Sequence, residues 1–499
     1  MALKGRTTIL ESMPPADLPL IEELLPVPDI PSGLRAFEAW PALLLLESAR
    51  AGISTGRYSF LTADPFHLER LPHAEFAGRP EAGAARNESL DPLIRLQTRL
   101  AAFETGPVAG LPPFQGGAAG LFSYDLNRAW ERLPLPQCDE FQFPALAAGI
   151  YDWVLAWDHF EQRAWVISQG FPETDQVGRV DRAARRMQQV QSALAQQPES
   201  RTNVSESRIE KCKLPIADLA RQRAAPGPVG LTSNFSRDDY LRAVERAIEY
   251  IHAGDVFQVN LSQRLLYPAD GNPLELYLRL RERNPAPFAG YFAHDDWAIA
   301  SASPERFVAI NRREVETRPI KGTRSRRPGP EADLFTRDEL RESEKDQAEN
   351  VMIVDLLRND LSRVCAPGTV KVPELCRVET YETVQHLVSE VRGRLADKKT
   401  PWDLFRAVFP GGSVTGAPKV RAMEIINELE PTARGPYCGS LFYVGYNGQT
   451  DSNILIRTFT IRRGWIQCPV GGGIVAQSDP AAEYEETMVK AEGMLRALQ

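Results

Sequence analysis

Short apolar runs bounded by Gly, Pro or Asp recur along the 499 residues, and few helical stretches separate them. Ala42-Leu-Leu-Leu-Leu46, Tyr58-Ser-Phe-Leu61, Gly117-Ala-Ala-Gly-Leu-Phe122 and Asp152-Trp-Val-Leu-Ala-Trp157 read as strands entered and left by turns. Strand patterns follow at 256–261, 297–301, 306–310, 314–317, 441–446 and 453–461. Helical periodicity is found at 90–103 and 176–197, in a stretch closed by Gly254, and at 343–361, 421–429 and 480–498. Before Gly254, Ser236 with Asp239 three residues on resembles a capping box, and Tyr240, Val244, Ile248 and Ile251 share one face. Strands that arrive largely in succession, with helices inserted rather than alternating, predict an α+β fold on antiparallel sheets.

From about 196 to 231 the composition turns to Pro, Ser, Arg, Ala and Gly, most clearly at Ala224-Ala-Pro-Gly-Pro-Val-Gly230. The expected division is an N-terminal module over 1–200, a linker over 201–230, and a second domain over 231–499. A net charge of −8, from 58 basic and 66 acidic residues, argues against nucleic acid or an anionic membrane surface as partner. No signal-peptide core is visible at the start, and the apolar run 41–46 is far too short to span a bilayer. The six cysteines lack metal-ligand spacing and read as reduced thiols, so a cytoplasmic location is expected.

Several motifs have the residue types that chemistry needs. In Thr317-Arg-Pro-Ile-Lys-Gly-Thr323 a lysine is held between a proline that fixes φ and a glycine that permits a sharp turn. Partial desolvation there would bring Lys321 toward nucleophilic pKa values, although a surface turn fits the spacing as well. Asp346 and Glu349 are neighbours on one helix face, and Glu483, Glu486 and Lys490 on another. One glutamate from each helix would suit Mg²⁺, which takes one or two carboxylates with substrate oxygens and water; solvated acidic faces are the alternative.

The run from Gly411 to Lys419 leads into the helix at Arg421, and Gly471-Gly-Gly473 precedes the terminal helix. Neither is a phosphate-binding P-loop. With Arg457, expected on a strand, they would serve a small dicarboxylate. Gly52-Ile-Ser-Thr-Gly56 matches a nucleophile elbow on paper but has no helix after it, and reads as a turn. His386 sits in an apolar strand-like run, and Arg324, Arg326 and Arg327 read as a solvated loop.

In order along the chain stand Phe257-Gln-Val-Asn-Leu-Ser262, Ser303-Pro-Glu-Arg306, Pro319-Ile-Lys-Gly-Thr323, Lys345-Asp-Gln-Ala-Glu-Asn350 and Asp355-Leu-Leu-Arg-Asn-Asp360. Gln385-His386, the run from Pro410 to Lys419, Ile456-Arg-Thr458, Gly471-Gly-Gly-Ile474 and Glu483-Tyr-Glu-Glu-Thr487 follow. Over these motifs, residues from about 230 to 499 resemble the chorismate-binding catalytic domain shared by anthranilate, aminodeoxychorismate, isochorismate and salicylate synthases. Leu45-Leu-Glu-Ser48 and Gly56-Arg-Tyr-Ser-Phe60 resemble the accompanying N-terminal module of the first two.

The resemblance implies two facing antiparallel sheets flanked by helices. It implies Glu349 and Glu486 as Mg²⁺ ligands, with Glu483 and Asp346 behind them through water. It implies that chorismate is held by Tyr437, Arg457, Lys490, Thr415 and the amides of Gly471, Gly472 and Gly473. Members that add water carry lysine where this chain has Gln258, and a neutral amide is a poor base, so an ammonia-using member is implied. Lysine rather than alanine at 321 implies amination at the ring carbon that loses its hydroxyl, giving 4-amino-4-deoxychorismate. Lys321 would be the nucleophile, Glu305 the general acid and His386 a hydrogen-bonding residue near the ring. The chain has no glutaminase nucleophile motif, so ammonia would come from a separate glutamine amidotransferase subunit. Leu45-Leu-Glu-Ser48 and Asn284-Pro-Ala-Pro-Phe288 also resemble segments where anthranilate synthases bind tryptophan, implying a pocket at Glu47, Ser48, Asn284 and Pro285.

Overall fold

Alternation along the strands explains why many of them are apolar at every position. In Leu43–Glu47, Leu43 and Leu45 face one way and Leu44 the other, and all three are buried. The same split separates Val154 and Ala156 from Trp153, Leu155 and Trp157, and Leu441 and Tyr443 from Phe442 and Val444. Successive side chains leave opposite faces of a sheet, so a run apolar throughout belongs to a strand covered on both sides.

The computed structural model describes residues 18–49, 56–72, 91–196, 213–326, 329–380 and 384–499. Its strands form two antiparallel sheets, of 13 and 10 strands among the described residues. The first runs from Leu20–Glu23 through Leu43–Glu47, Phe288–His294, Trp297–Ser303, Thr458–Arg462, Trp465–Ile474 and Gln258–Pro268 to the short edge strands Thr232–Ser233 and Arg223–Ala224. The second runs from Ile320–Ser325 and Val384–Arg394 through Arg306–Asn311, Thr450–Asn453, Ser440–Gly445 and Gly117–Phe122 to His67–Leu71.

Their inner faces meet around Leu44, Phe60, Trp165, Trp297, Leu121 and Tyr443. Helices Pro92–Ala101, Glu344–Ser362 and Pro401–Val408 cover the outside of the second sheet. Gln176–Ala195, Pro273–Arg283 and Pro480–Leu495 cover the outside of the first. Two facing antiparallel sheets flanked by helices are thus the fold the sequence predicts.

Strands from before and after 201–230 share both sheets. Leu43–Glu47 pairs with Phe288–His294, and Gly117–Phe122 with Ser440–Gly445. The stretch expected as a linker is described from residue 213, where it holds a single 3-10 turn, Ile216–Asp218, and the short strand Arg223–Ala224. The expected strand 453–461 is two strands. Thr450–Asn453 belongs to the second sheet and Thr458–Arg462 to the first, and the chain passes between sheets over 454–457.

Candidate active site

Two neighbouring segments change sheets at the same place. After Ser303 the chain leaves the first sheet through Pro304 and Glu305 and enters the second at Arg306; alongside it, 454–457 makes the reverse crossing. The crossings are tied together. The Ile454 N–H donates to the Glu305 carbonyl at 3.0 Å, the Ala302 N–H to the Arg457 carbonyl at 3.0 Å, and the Ser303 hydroxyl to the Ile454 carbonyl at 2.5 Å. Residues at such a crossing lie outside the regular alternation, and Glu305 and Arg457 both line a cavity of about 860 Å³.

Arg457 is therefore not a strand residue. Its φ of +50° lies in the left-handed region, where a residue other than glycine carries strain of roughly 1–3 kcal/mol. Its guanidinium makes no ion pair among the described residues, and burial lowers its pKa. A half-buried cation without a partner is costly until an anion reaches it.

Lys321 lies on a strand rather than in a turn. Ile320–Ser325 pairs with Val384–Arg394, and the register slips between Lys321 and Thr323. Gly322, at φ +66°, forms the bulge, which re-aims the lysine. A Cβ on Gly322 would meet Leu340 Cδ1 at 2.7 Å and Asp346 Cγ at 3.0 Å, so the helices behind press directly on the bulge.

Lys321 Nζ enters the cavity and donates to the Ser413 carbonyl at 3.4 Å. The Ser413 hydroxyl donates to Glu305 Oε1 at 2.9 Å, so one residue spans the pair. Burial lowers the Lys321 pKa against the pull of the Glu349 and Glu305 carboxylates. Burial pushes Glu305 up to about 7, while the Lys321 charge and the Ser413 hydrogen bond hold it back. An acid poised near neutrality thus shares the cavity with an amine shifted toward its neutral form. His386, opposite Thr323 in the ladder, is buried and lines the same space.

The facing wall is acidic at one end. Glu349 comes from Glu344–Ser362, and Glu483, Glu486 and Lys490 from Pro480–Leu495. Lys490 donates to the Gly471 carbonyl at 2.9 Å and pairs with Glu486 at 2.7 Å. Buried Glu483 accepts from the Ser478 hydroxyl at 2.7 Å. Burial raises Glu349 and Glu483, whereas for Glu486 burial is outweighed by Lys490, which holds it low.

The glycines allow this close approach. A Cβ on Gly472 would lie 3.1 Å from Glu483 Oε2 and 3.8 Å from both Glu486 Oε1 and Lys490 Nζ. A Cβ on Gly473 would sit 2.0 Å from Gln258 Nε2. Among the described residues no three His, Cys, Asp or Glu are grouped as a complete metal site. Hard carboxylate oxygens facing an open cavity nevertheless fit Mg²⁺, which completes its shell with substrate and water.

Tyr437 is buried and lines the cavity. Thr415 is brought elsewhere: it is fully buried and its hydroxyl donates to the Gly411 carbonyl at 3.0 Å, closing the loop that carries Ser413. The residues matched to a tryptophan pocket are divided. Asn284 lines the catalytic cavity, and Pro285 is exposed. Glu47 lines a second cavity of about 830 Å³, with Arg57, Phe288, Arg306 and Tyr443. The Glu47 carboxylate already accepts from the Tyr277 hydroxyl and Arg281 Nε, each at 2.6 Å, and Ser48 donates to the Pro287 carbonyl at 3.1 Å. Consecutive residues thus face different spaces, Glu305 the first cavity and Arg306 the second.

Arg324 is not in a solvated loop. It lies on the lysine's strand and pairs with Asp346 at 3.0 Å, and Arg326 beyond it pairs with Asp333 at 2.8 Å. Residues 52–55 of the elbow-like stretch, and Arg327, are outside the described residues. Ser413 and Asn260 are lining residues that sequence patterns did not single out; Asn260 Oδ1 is buried without a hydrogen-bond partner. The only available signal for Ser413 was its place within the glycine-rich run.

Residues 60–496 match the chorismate binding enzyme family. The chain is 38% identical over 468 residues to aminodeoxychorismate synthase component 1 of Klebsiella aerogenes, covering 92% of this chain and 94% of the relative. It is 40% identical over 467 residues to anthranilate synthase component 1 of Thermus thermophilus, covering 93% and 94%. The crystal structure of anthranilate synthase component I from Streptococcus pneumoniae aligns with a TM-score of 0.71 at 28% identity, over 90% of this chain and 94% of that one. The protein belongs to the chorismate binding enzyme family.

Proposed function

We propose that the protein aminates chorismate to 4-amino-4-deoxychorismate in an Mg²⁺-dependent reaction that feeds para-aminobenzoate and folate synthesis. The observation that carries this reading is Lys321, a half-buried amine aimed by the Gly322 bulge into the cavity that holds Glu305, with Ser413 touching both. Relatives named aminodeoxychorismate synthase component 1 support it.

Neutral Lys321 Nζ attacks the ring as the bond to the 4-hydroxyl breaks, and Glu305 gives its proton so that water departs. Ammonia then forms a bond at the former hydroxyl carbon while the bond to Lys321 breaks. The proton left on the new amine returns to Glu305, which resets both residues. Arg457, with Lys490 beside the Gly471 carbonyl, offers positive charge to the two substrate carboxylates. Glu349 and Glu486, backed by Glu483, would hold Mg²⁺, which when bound neutralises a substrate carboxylate and orients the ring. Gln258, 1% exposed and packed against Gly473, is neutral and unsuited to activating water, which supports ammonia as the nucleophile.

A glutamine amidotransferase subunit is the proposed ammonia source, and the cytoplasm the proposed location. Tryptophan is proposed for the second cavity, beside Glu47 and Phe288. Purified protein incubated with chorismate, Mg²⁺ and an ammonium salt tests the activity. Para-aminobenzoate appearing only after an aminodeoxychorismate lyase is added is the expected result. Fluorescent anthranilate formed without the lyase, or chorismate bound but unchanged, would rule the assignment out.

A further inference from the structure

Lys345 begins the helix that carries Glu349, and its ammonium lies between two acidic helices. Nζ is 4.0 Å from Glu349 Oε1 and 3.8 Å from Glu483 Oε1. No other ion pair reaches either carboxylate among the described residues: Asp346 is taken by Arg324 at 3.0 Å, and Glu486 by Lys490 at 2.7 Å. Both separations exceed hydrogen-bond length, so the ammonium sits between the acids without being fixed to one of them. The two sides differ in freedom. The Lys345 side chain is 53% exposed, whereas those of Glu349 and Glu483 are 15% and 5% exposed. The lysine can swing into water while the carboxylates stay in place.

We propose that Lys345 is a tethered counter-ion that holds Glu349 and Glu483 together in the metal-free protein and is displaced when the divalent cation binds. The inference rests on the Mg²⁺ reading of these glutamates. Cation binding is then an exchange, and the lysine keeps the affinity low until it is released. Its tie to the terminal helix also joins the two metal-bearing helices before any metal is present.

The test uses the full chain without chorismate and Mn²⁺ as the probe, titrated calorimetrically into the parent, Lys345→Gln and Lys345→Arg. Lys345→Gln is expected to bind Mn²⁺ roughly five- to tenfold more tightly, because two partly exposed ion pairs no longer have to be broken. Lys345→Arg keeps the charge and should stay close to the parent. In metal-free buffer Lys345→Gln should melt at lower temperature, and Mn²⁺ should raise its melting point more than the parent's. Equal or weaker Mn²⁺ binding by Lys345→Gln, or an unchanged metal-free melting point, overturns the counter-ion role while leaving the metal site standing. Absence of Mn²⁺ binding in all three proteins overturns the metal site and this inference together.

Discussion

Replacing Ser413 with alanine should move the alkaline limb of the pH profile upward. The Ser413 hydroxyl donates to Glu305 Oε1 at 2.9 Å, and both residues are buried. That hydrogen bond favours the charged carboxylate, so its loss raises a pKa already near 7. A hydrogen bond to a charged group contributes about 1.5–3 kcal/mol. At about 1.4 kcal/mol for each tenfold change in a proton equilibrium, the loss makes Glu305 roughly ten- to a hundredfold harder to ionise. At pH 8 the parent's Glu305 is only about one-tenth protonated, and the variant's about half or more.

Because the proton of Glu305 leaves with the departing hydroxyl, kcat/KM of Ser413→Ala should hold to higher pH than that of the parent. The Lys321 contact survives, since it uses the Ser413 main-chain carbonyl. The assay couples turnover to a lyase and reads para-aminobenzoate from pH 6 to 9.5, with free ammonia rather than total ammonium held constant. An alkaline limb that stays in place, or moves toward acid, would refute the role given to Glu305.

Glu305→Gln should lower turnover by about 10²–10⁴-fold. The raised Glu305 pKa means its contribution to stability is full below about 4.5 and is lost as pH rises through about 7. The melting point of Glu305→Gln relative to the parent should therefore rise between pH 5 and 8, by up to about 3 kcal/mol of stability; a pH-independent difference would contradict the burial argument. Lys321→Ala should remove turnover or redirect it to anthranilate, read by chromatography of the products; an unaltered rate and product would leave covalent catalysis without support. Arg457→Ala should reduce kcat/KM by roughly 10–100-fold without lowering the melting point of the ligand-free protein, because no ion partner is lost. A large loss of thermal stability would show that the guanidinium serves the fold.

Periodicity carried most of the fold. Leu43–Glu47, Gly117–Phe122 and Trp153–Asp158 are strands because each run is short and apolar up to its last residue, and both of their faces are buried. The amphipathic helix Arg237–His252 begins at the Ser236 cap as its sequence predicts. Sheet membership was not legible, because pairing partners lie far away in the chain. That is why 453–461 reads as one strand when its two ends belong to different sheets. The family resemblance brought Lys321, Glu305, Glu349 and Glu486 forward, and the fold lines one cavity with them, but a bulge at Gly322 and left-handed backbone at Arg457 are imposed by tertiary packing. Ser413 and Asn260 escaped notice because their meaning lies in what they touch: one spans an acid and an amine, and the other turns an unpaired amide oxygen into a buried site.

Glu305 and Arg306, joined by one peptide bond, line two different chambers. Arg306 anchors its side through Asp451 at 2.8 Å and Glu316 at 2.9 Å, while Glu305 anchors the other through Ser413. If an occupant of the second cavity displaces Arg306 and the movement reaches Glu305, thermodynamic reciprocity requires the traffic to run both ways. To whatever degree such an occupant weakens chorismate binding, chorismate expels that occupant by the same factor.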